Sequence, residues 1–318
     1  MIVLRKLQLL LLIFLINLNY VNCYDFLVFC PLFAHSHTTF FAQIADALTD
    51  AGHNVTFFTP TIVRKYETVN YVKSTKNVVK LEAPDELAEL GIKLDSNDIT
   101  KFWTRDSDVT EILPMIDLFQ SMYKLQSEVL YKNLDFLENL KNRTKFDAII
   151  YETFVFSAYP LMEFLEIKTR LPAISLTYDV ATARVMGETI MPSVVPEMMS
   201  PFSDKMSLLE RILNTALSPI IQKYVGVPEY LSYSKPRKPV DYLSLIPKSP
   251  FLLINSNPYI DFPRPTITKT VQIGGISVNL KKLRAEKISE KWSDILNLRP
   301  KTMLISFGSL QQLRESMA

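Results

Sequence analysis

The stretch from Asp25 to Pro60 constrains the fold most, because it contains one complete strand, helix and second strand. The apolar run Phe26–Cys30 is short, continuous and followed by Pro31, which is typical of a parallel strand buried on both faces. The run Val55–Thr59 is rich in β-branched and aromatic residues and stops at Pro60. A unit of this length predicts a parallel βαβ crossover and therefore an α/β fold.

The segment between these two runs has the spacing of an amphipathic helix. Its apolar residues recur at i, i+3, i+4 and i+7: Phe41, Ile44, Ala45 and Leu48. Three polar residues can cap its start: Ser36, Thr38 and Thr39. Gly52 stands where a left-handed residue commonly ends a helix. We therefore expect a loop that contains His35 and His37, followed by a helix that ends before Gly52.

All three histidines of the chain, His35, His37 and His53, lie in this unit. Ligands of open α/β sheets bind beyond the carboxyl ends of the strands, where the loop with His35 and His37 is expected. A neutral imidazole there can accept a proton from a substrate hydroxyl, although two loop histidines can also merely cap or pack. His53 follows the predicted helix end, so we expect it to satisfy carbonyls of the last turn.

A carboxylate is predicted at the same edge of the sheet. The run Phe146–Tyr151 is typical of a buried parallel strand, and it brings Glu152 to the carboxyl end. Glu152 could accept the second ring N–H of His37, which would fix the tautomer and stabilise the imidazolium that forms during proton transfer. The alternative is a solvated glutamate at a strand end.

The rest of the chain continues the alternation of strands and helices, which predicts a doubly wound parallel sheet. Further strands are predicted at Val78–Leu81, Leu171–Leu176, Phe251–Asn255, Val271–Ile273 and Lys301–Phe307. Helices are predicted at Ile112–Leu140 (one or two), Met206–Val225 and Ile288–Leu296. Residues 178–206 interrupt this pattern with prolines and five methionines, which suit lipophilic ligands, a membrane surface or ordinary packing.

The first 23 residues have the features of a signal peptide: Arg5 and Lys6 precede the apolar run Leu9–Ile16. Its removal would leave 33 basic and 33 acidic residues. A net charge near zero argues against a nucleic-acid partner. The sequons at Asn54 and Asn142 then become candidate glycosylation sites.

Metal and nucleotide motifs give no further site. The two cysteines form no metal motif: Cys23 would leave with the signal peptide, and Cys30 reads as a small core residue. The seven glycines form neither a P-loop nor a G-x-G-x-x-G cradle. We therefore expect no metal and no cofactor.

Nine segments in order along the chain form a recognisable set: Ser36-His37, Ala51–Thr56, Phe146-Asp147 with Glu152, Met191–Pro196, Ser203–Ser207, Asn255–Pro258, Asp261–Pro265, Ile273–Ile276 and Ile305–Ser309. Taken together, these segments resemble the UDP-glycosyltransferases, most closely the UDP-glucuronosyltransferase-like proteins of the secretory pathway. The resemblance covers Tyr24 to Ser309 and implies a GT-B enzyme. It implies a Rossmann-like acceptor domain over residues 24–280, a linker over 281–300, and the first strand of a UDP-sugar-binding domain over 301–318.

The resemblance also assigns roles to particular residues. It implies that His37 deprotonates the acceptor and that Glu152, where many relatives have Asp, orients His37. It implies that the loop with Gly308 and Ser309 approaches the diphosphate of the donor through its backbone. The donor signature with its His-Gly-Gly segment and the C-terminal membrane helix of the family are not found in these 318 residues.

Two functions follow as expectations. The first is inverting transfer of glucuronic acid or glucose from a UDP-sugar to a small lipophilic alcohol or phenol in the endoplasmic reticulum lumen. Membrane association would need the helix that is not found here, and the residues leave the oligomeric state open, a homo- or heterodimer included. The second is a non-catalytic fragment that binds acceptors or pairs with a longer relative, since these residues alone are expected to be inactive. A serine hydrolase ranks third, because no G-x-S-x-G motif occurs.

Overall fold

The computed structural model describes residues 23–83, 85, 112–177, 180–197, 200–224 and 244–305. Within these ranges a seven-stranded, fully parallel sheet has the order β3-β2-β1-β4-β5-β6-β7. The strands are β1 (Asp25–Phe29), β2 (Asn54–Pro60), β3 (Asn77–Leu81), β4 (Ala148–Glu152), β5 (Thr169–Ile174), β6 (Leu252–Ile254) and β7 (Thr270–Gln272). The order reverses between β1 and β4, which makes their carboxyl ends the switch point where ligands bind in such sheets.

Helices connect and cover these strands. They are α1 (His35–Asp50), α2 (Ile112–Lys132), α3 (Leu134–Arg143), α4 (Ala158–Phe164), α5 (Val180–Met186), α6 (Leu208–Tyr224), α7 (Leu280–Ala285) and α8 (Glu290–Asn297), with 3₁₀ turns at Arg64–Tyr66 and Ile246–Lys248. The doubly wound arrangement predicted from the sequence is confirmed. Among the described helices, none has both the length and the apolar character that crossing a membrane requires.

The burial of β1 shows why the chain forms two layers of helices around one sheet. Leu27 and Phe29 pack into one apolar cluster, whereas Val28 and Cys30 pack into a second cluster. Alternate residues of a strand point to opposite faces, so both faces of β1 are covered. Each large side chain buried in this way stabilises the fold by roughly 1.5–3 kcal/mol.

The start of α1 differs from the prediction. The helix begins at His35, so His35 and His37 lie in its first turn rather than in the preceding loop. The N-cap residue is Ala34, and no side chain caps the helix; the prediction of a cap from Ser36, Thr38 or Thr39 is therefore wrong. The hydroxyls of Thr38 and Thr39 instead donate to carbonyls four residues back. The predicted left-handed residue at Gly52 is confirmed by its φ of 92°.

Two further differences concern less regular segments. Helix α5 was not predicted, because the prolines and methionines nearby obscured its short apolar pattern; Met186 at its end is buried. The strand predicted at Lys301–Phe307 is wrong for residues 301–305, where no strand forms. A strand needs a hydrogen-bonded neighbour, and no described strand pairs with these residues. Residues 306–309, including Gly308 and Ser309, and the predicted signal peptide up to residue 22 lie outside the described ranges.

Candidate active site

Four polar residues meet at the carboxyl edge of the sheet, beside the switch point. His37 comes from the first turn of α1, directly after β1, and Glu152 is the last residue of β4. Ser175 and Asn255 are the first residues after β5 and β6. Since β1, β4, β5 and β6 are consecutive in the sheet, their ends present these side chains in a row.

The predicted contact between the histidine and the carboxylate is present. Nδ1 of His37 lies 2.7 Å from Oε2 of Glu152, and their side chains are 13% and 1% exposed. The ring of His37 also packs against Phe33 and Phe154, with centroid distances of 5.0 and 5.6 Å, and these two rings contact each other. The imidazole is therefore held by a buried carboxylate and by two adjacent aromatic rings.

Ser175 adds further bonds to the same carboxylate. Its backbone N–H donates to Oε1 of Glu152 at 3.0 Å, and its hydroxyl donates to the same oxygen over a very short distance. The hydroxyl oxygen of Ser175 also lies 2.7 Å from Nδ1 of His37. With the bond to the imidazole, Glu152 takes part in three hydrogen bonds, which satisfies a carboxylate in a buried position.

Sequence reasoning missed Ser175 and Asn255. Ser175 fell inside the predicted strand Leu171–Leu176, which hid its position at the strand end. The side-chain amide of Asn255 donates to the carbonyl oxygen of Ser175 at 2.8 Å. The sequence does show polar residues directly after strands at the ligand edge. It does not show the order of the strands, which is what brings these residues together.

The hydrogen bonds determine which nitrogen of His37 can act as a base. An ionised carboxylate only accepts, so Nδ1 must carry the hydrogen that bonds Glu152. The lone pair of the neutral ring is then on Nε2, which has no hydrogen bond to any other described residue. The arrangement of ring and carboxylate is that of a general base with its orienting partner.

His35 has a different environment, although it lies only two residues away. Its Nδ1 is 3.1 Å from the hydroxyl of Tyr71. Burial raises the pKa of Tyr71 to about 12, so its hydroxyl keeps its proton at neutral pH and can either donate to this nitrogen or accept from it. A hydroxyl partner of this kind fixes neither tautomer of His35, unlike the carboxylate that His37 contacts.

His53 lies at the opposite edge of the sheet. Its ring packs against Tyr24 and Phe26, with centroid distances of 5.8 and 5.2 Å, and its Nδ1 lies 3.5 Å from the backbone nitrogen of Tyr24. The ring therefore contacts the start of β1 instead of the last-turn carbonyls that we expected. Its contacts are those of a packing residue.

The loop that carries Tyr71 is fastened to α1 by a buried carboxylate. Asp46 accepts hydrogen bonds from the backbone nitrogens of Lys73, Ser74 and Thr75 at 2.8, 2.9 and 2.9 Å. Asp46 is 7% exposed. The carboxylate thereby holds the loop, and Tyr71 with it, beside the first turn of α1.

Two other kinds of chemistry receive no support from this geometry. In a serine hydrolase the nucleophile and the carboxylate bind opposite nitrogens of the histidine, whereas Ser175 and Glu152 both contact Nδ1. Among the described residues, no group of three His, Cys, Asp or Glu side chains could hold a metal ion.

Comparisons with known proteins agree with the resemblance seen in the sequence. The family model described as "UDP-glucoronosyl and UDP-glucosyl transferase" matches residues 26–309. The putative UDP-glucuronosyltransferase ugt-56 of Caenorhabditis elegans is 24% identical over 309 residues, covering 91% of this chain and 54% of that protein. The 2-hydroxyacylsphingosine 1-beta-galactosyltransferase of Rattus norvegicus is 23% identical, covering 91% and 51%. The chain thus spans about half the length of the curated relatives it matches.

Solved structures also match at low identity. Phytolacca americana UGT2, complexed with UDP-2fluoro-glucose and pterostilbene, has a TM-score of 0.46 and 10% identity over 83% of this chain and 57% of that chain. TcCGT1 in complex with UDP has a TM-score of 0.44 and 14% identity over 88% and 56%.

Proposed function

The chain belongs to the family of UDP-glucuronosyl and UDP-glucosyl transferases, and from this we propose that it takes part in transfer of a sugar from a UDP-sugar to the hydroxyl of a small lipophilic acceptor. The sugar is glucuronic acid or glucose. The observation that carries the proposal is the 2.7 Å bond between Nδ1 of His37 and the buried Glu152, which leaves Nε2 to act as general base.

The proposed reaction needs one proton acceptor and one leaving group. Nε2 of His37 takes the proton of the acceptor hydroxyl while its oxygen attacks C1 of the sugar. The bond between C1 and the UDP oxygen breaks, UDP leaves with the electron pair, and the anomeric centre inverts. Glu152 stabilises the imidazolium that results. The UDP-sugar is the donor substrate, and this route requires neither a metal nor a cofactor.

A lipophilic acceptor is supported by the surroundings of His37. Phe33 and Phe154 lie against its ring, so an acceptor whose hydroxyl reaches His37 would lie near apolar side chains. The names of two relatives, from Rattus norvegicus and Homo sapiens, specify galactosyl transfer to 2-hydroxyacylsphingosine. For the donor, we propose that the backbone at Gly308 and Ser309 approaches the diphosphate, on the resemblance alone. The predicted signal peptide supports a location in the endoplasmic reticulum lumen.

A second candidate function is acceptor binding without catalysis, in association with a longer relative. It is favoured by the segment from α7 to residue 305, where large apolar side chains are at least 48% exposed: Leu280, Leu283, Ile288, Trp292, Ile295, Leu298, Met303, Leu304 and Ile305. Turnover after fusion to the donor half of a relative distinguishes the two functions: sugar transfer that depends on His37 would favour the enzyme, and binding of lipophilic alcohols without turnover would favour the second candidate. Residues 24–318 alone should bind UDP no more tightly than millimolar, since the resemblance gives them only the start of the donor domain. A micromolar dissociation constant in a calorimetric titration would contradict that expectation.

The proposed base is tested by replacing His37 with alanine. We expect kcat to fall by roughly 10²–10⁴, the usual loss when a general base is removed, while the fold is retained. Turnover would be measured with UDP-glucuronic acid or UDP-glucose and a phenol. If these residues alone show no turnover, the same variants would be measured after fusion to the donor half of a relative.

His35→Ala is the matched control, because it removes a histidine from the same helical turn. Its loss should be far smaller, since Nδ1 of His35 contacts the hydroxyl of Tyr71, whereas Nδ1 of His37 contacts a carboxylate that can stabilise an imidazolium. If His35→Ala abolished turnover and His37→Ala did not, the two assignments would have to be exchanged.

A further inference from the structure

We propose that Ser175 is a positioning residue that keeps His37 in the one tautomer able to act as a base at Nε2. The tautomer itself follows from the contacts of three side chains, His37, Glu152 and Ser175. Only its use in catalysis rests on the proposed function.

Two placements of the protons are possible in this ring of contacts. In the first, Nδ1 of His37 donates to Oε2 of Glu152 and shares its hydrogen with the hydroxyl oxygen of Ser175, whose own hydrogen goes to Oε1. Nδ1 of His37, both oxygens of Glu152 and the hydroxyl of Ser175 then each have a partner. In the second, the hydroxyl of Ser175 donates to Nδ1 instead.

The second placement is disfavoured at two contacts. The lone pair of Nδ1 would face the anionic Oε2 at 2.7 Å with no hydrogen between them. The hydroxyl oxygen of Ser175 would likewise face Oε1 over a very short distance without a hydrogen. Both contacts would be repulsive, since a carboxylate only accepts. The structure therefore assigns the hydrogen of His37 to Nδ1.

Ser175 holds the carboxylate in the orientation that this tautomer needs. Its N–H and its hydroxyl both bond Oε1 of Glu152, which turns Oε2 toward His37. Ser175 is itself held, because Asn255 donates to its carbonyl oxygen through the side chain and to the carbonyl of Ile174 through the backbone nitrogen. Asn255 after β6 thus holds Ser175 after β5, Ser175 holds Glu152 at the end of β4, and Glu152 orients His37 on α1.

The removal of the hydroxyl should loosen this arrangement. Without it, Oε1 of Glu152 loses one of its two donors and Nδ1 of His37 loses one of its two acceptors. Hydrogen bonds to charged groups are among the stronger ones in proteins, and the loss of one corresponds to roughly a tenfold change in an equilibrium. We therefore expect Ser175→Ala to raise the proportion of the Nε2–H tautomer of His37 about tenfold.

The tautomers can be read directly, because the chain contains only three histidines. With ¹⁵N-labelled imidazoles, long-range ¹H–¹⁵N correlation spectra at neutral pH distinguish a protonated ring nitrogen from an unprotonated one. His37→Ala assigns the signal of His37. We expect the Nδ1–H form for His37, whose partner is a carboxylate, whereas the partner of His35 is a hydroxyl that fits either form. A wild-type spectrum with His37 in the Nε2–H form would overturn the proposal.

Three variants complete the test. Ser175→Thr keeps a hydroxyl and should keep the wild-type spectrum. Ser289→Ala is the matched control, because Ser289 is an exposed serine that precedes α8 without capping it through its side chain, so its loss should change nothing. A folded Ser175→Ala protein with the wild-type tautomer ratio would refute the role of Ser175.

The unchanged signals of His35 and His53 report that a variant is folded. If Ser175→Ala does not fold, Ser175→Cys replaces it, since a thiol is close in size to a hydroxyl but bonds weakly. A raised proportion of the Nε2–H form in Ser175→Cys would then support the role of Ser175, and a wild-type tautomer ratio would refute it. The spectra need neither donor nor acceptor, so the role of Ser175 can fail while His37→Ala still abolishes turnover, and the reverse can also occur.

Discussion

At the scale of single residues, Glu152 shows how a buried carboxylate is made useful. Its side chain is 1% exposed, and the desolvation of an unpaired charge there would cost several kcal/mol. Three hydrogen bonds, from His37 and from the backbone and hydroxyl of Ser175, offset that cost. The same bonds leave His37 with one available nitrogen, so stability and chemistry depend on the same contacts.

Replacement of Glu152 by glutamine should impair turnover by reversing a hydrogen bond. The glutamine oxygen can still accept from Ser175, but its amide would then donate to Nδ1 of His37 and place the ring hydrogen on Nε2. We expect kcat to fall by roughly 10²–10⁴, as for a base in the wrong tautomer. The measurement is kcat in the assay used for His37→Ala.

Glu152→Asp is the comparison for this change. The carboxylate is kept but shortened by one methylene, so its bond to His37 should lengthen and the loss should be smaller than for glutamine. Turnover of Glu152→Gln within about twofold of the wild type would eliminate the proposed role of Glu152, given the size of a working base–orienter pair.

The sequence predicted half of this residue cluster. His37 and Glu152 follow runs that read as buried strands, and strand ends at one edge of a parallel sheet are close together. Ser175 and Asn255 could not be predicted, because their contact requires β5 and β6 to follow β4 in the sheet, and strand order is a property of the folded molecule. Gly308 and Ser309 lie outside the described ranges, so their proposed contact with the donor stays a prediction.

At the scale of secondary-structure elements, Asp46 of α1 holds the backbone of residues 73–75 against the helix. Asp46→Ala removes the acceptor of three backbone N–H groups, from Lys73, Ser74 and Thr75. At least one of these donors is buried, and buried donors without partners are costly. We expect the free energy of unfolding to fall by about 3 kcal/mol, measured by urea denaturation.

Asp50→Ala is the control for Asp46→Ala. Asp50 is an exposed aspartate on the last turn of the same helix, and an exposed site of this kind usually changes stability by less than about 0.5 kcal/mol. Equal losses in the free energy of unfolding for the two variants would show that the hydrogen bonds from residues 73–75 do not stabilise the fold.

The turn after β7 depends on a close approach of two backbone segments. A Cβ atom on Gly274 would lie 2.4 Å from the carbonyl oxygen of Ser256, so Gly274→Ala forces the backbones apart. We expect a loss of roughly 2–3 kcal/mol in the free energy of unfolding, typical of overpacking. Gly275→Ala meets no atom within 4 Å and only disfavours a φ of 89°, so it should cost about 1 kcal/mol. Equal effects in thermal denaturation would contradict the close approach as the cause.

Local pattern predicted these elements better than it predicted their ends. The strands and the long helices were located within a few residues, because apolar period and turn residues act locally. The start of α1 was missed because Ala34, a poor capping residue, precedes it without a side-chain bond. The segment after residue 300 was missed because its apolar residues resemble a strand, while no described neighbour pairs with it.

At the scale of the whole molecule, burial divides the described chain into two parts. Strands β1, β4 and β5 and the helices beside them contain the two apolar clusters, whereas α7 and α8 contain no buried residue. Helices of six and eight residues are too short to be stable without packing. The segment from α7 to residue 305 should therefore open locally at little cost in free energy.

Limited proteolysis with trypsin should detect this difference under native conditions. Among the described residues, we expect the first cuts between Lys281 and Lys301, a range in which every lysine and arginine is exposed. Lys80 is the internal control, because it is equally exposed but lies in β3, whose backbone is paired to β2. Cleavage needs a locally unfolded backbone, so exposure alone should not make Lys80 a site. Intact mass measurement of the early fragments identifies the cuts, and cleavage after Lys80 before any cut within 281–301 would show that the sheet, rather than the segment from α7 onward, is the less stable part.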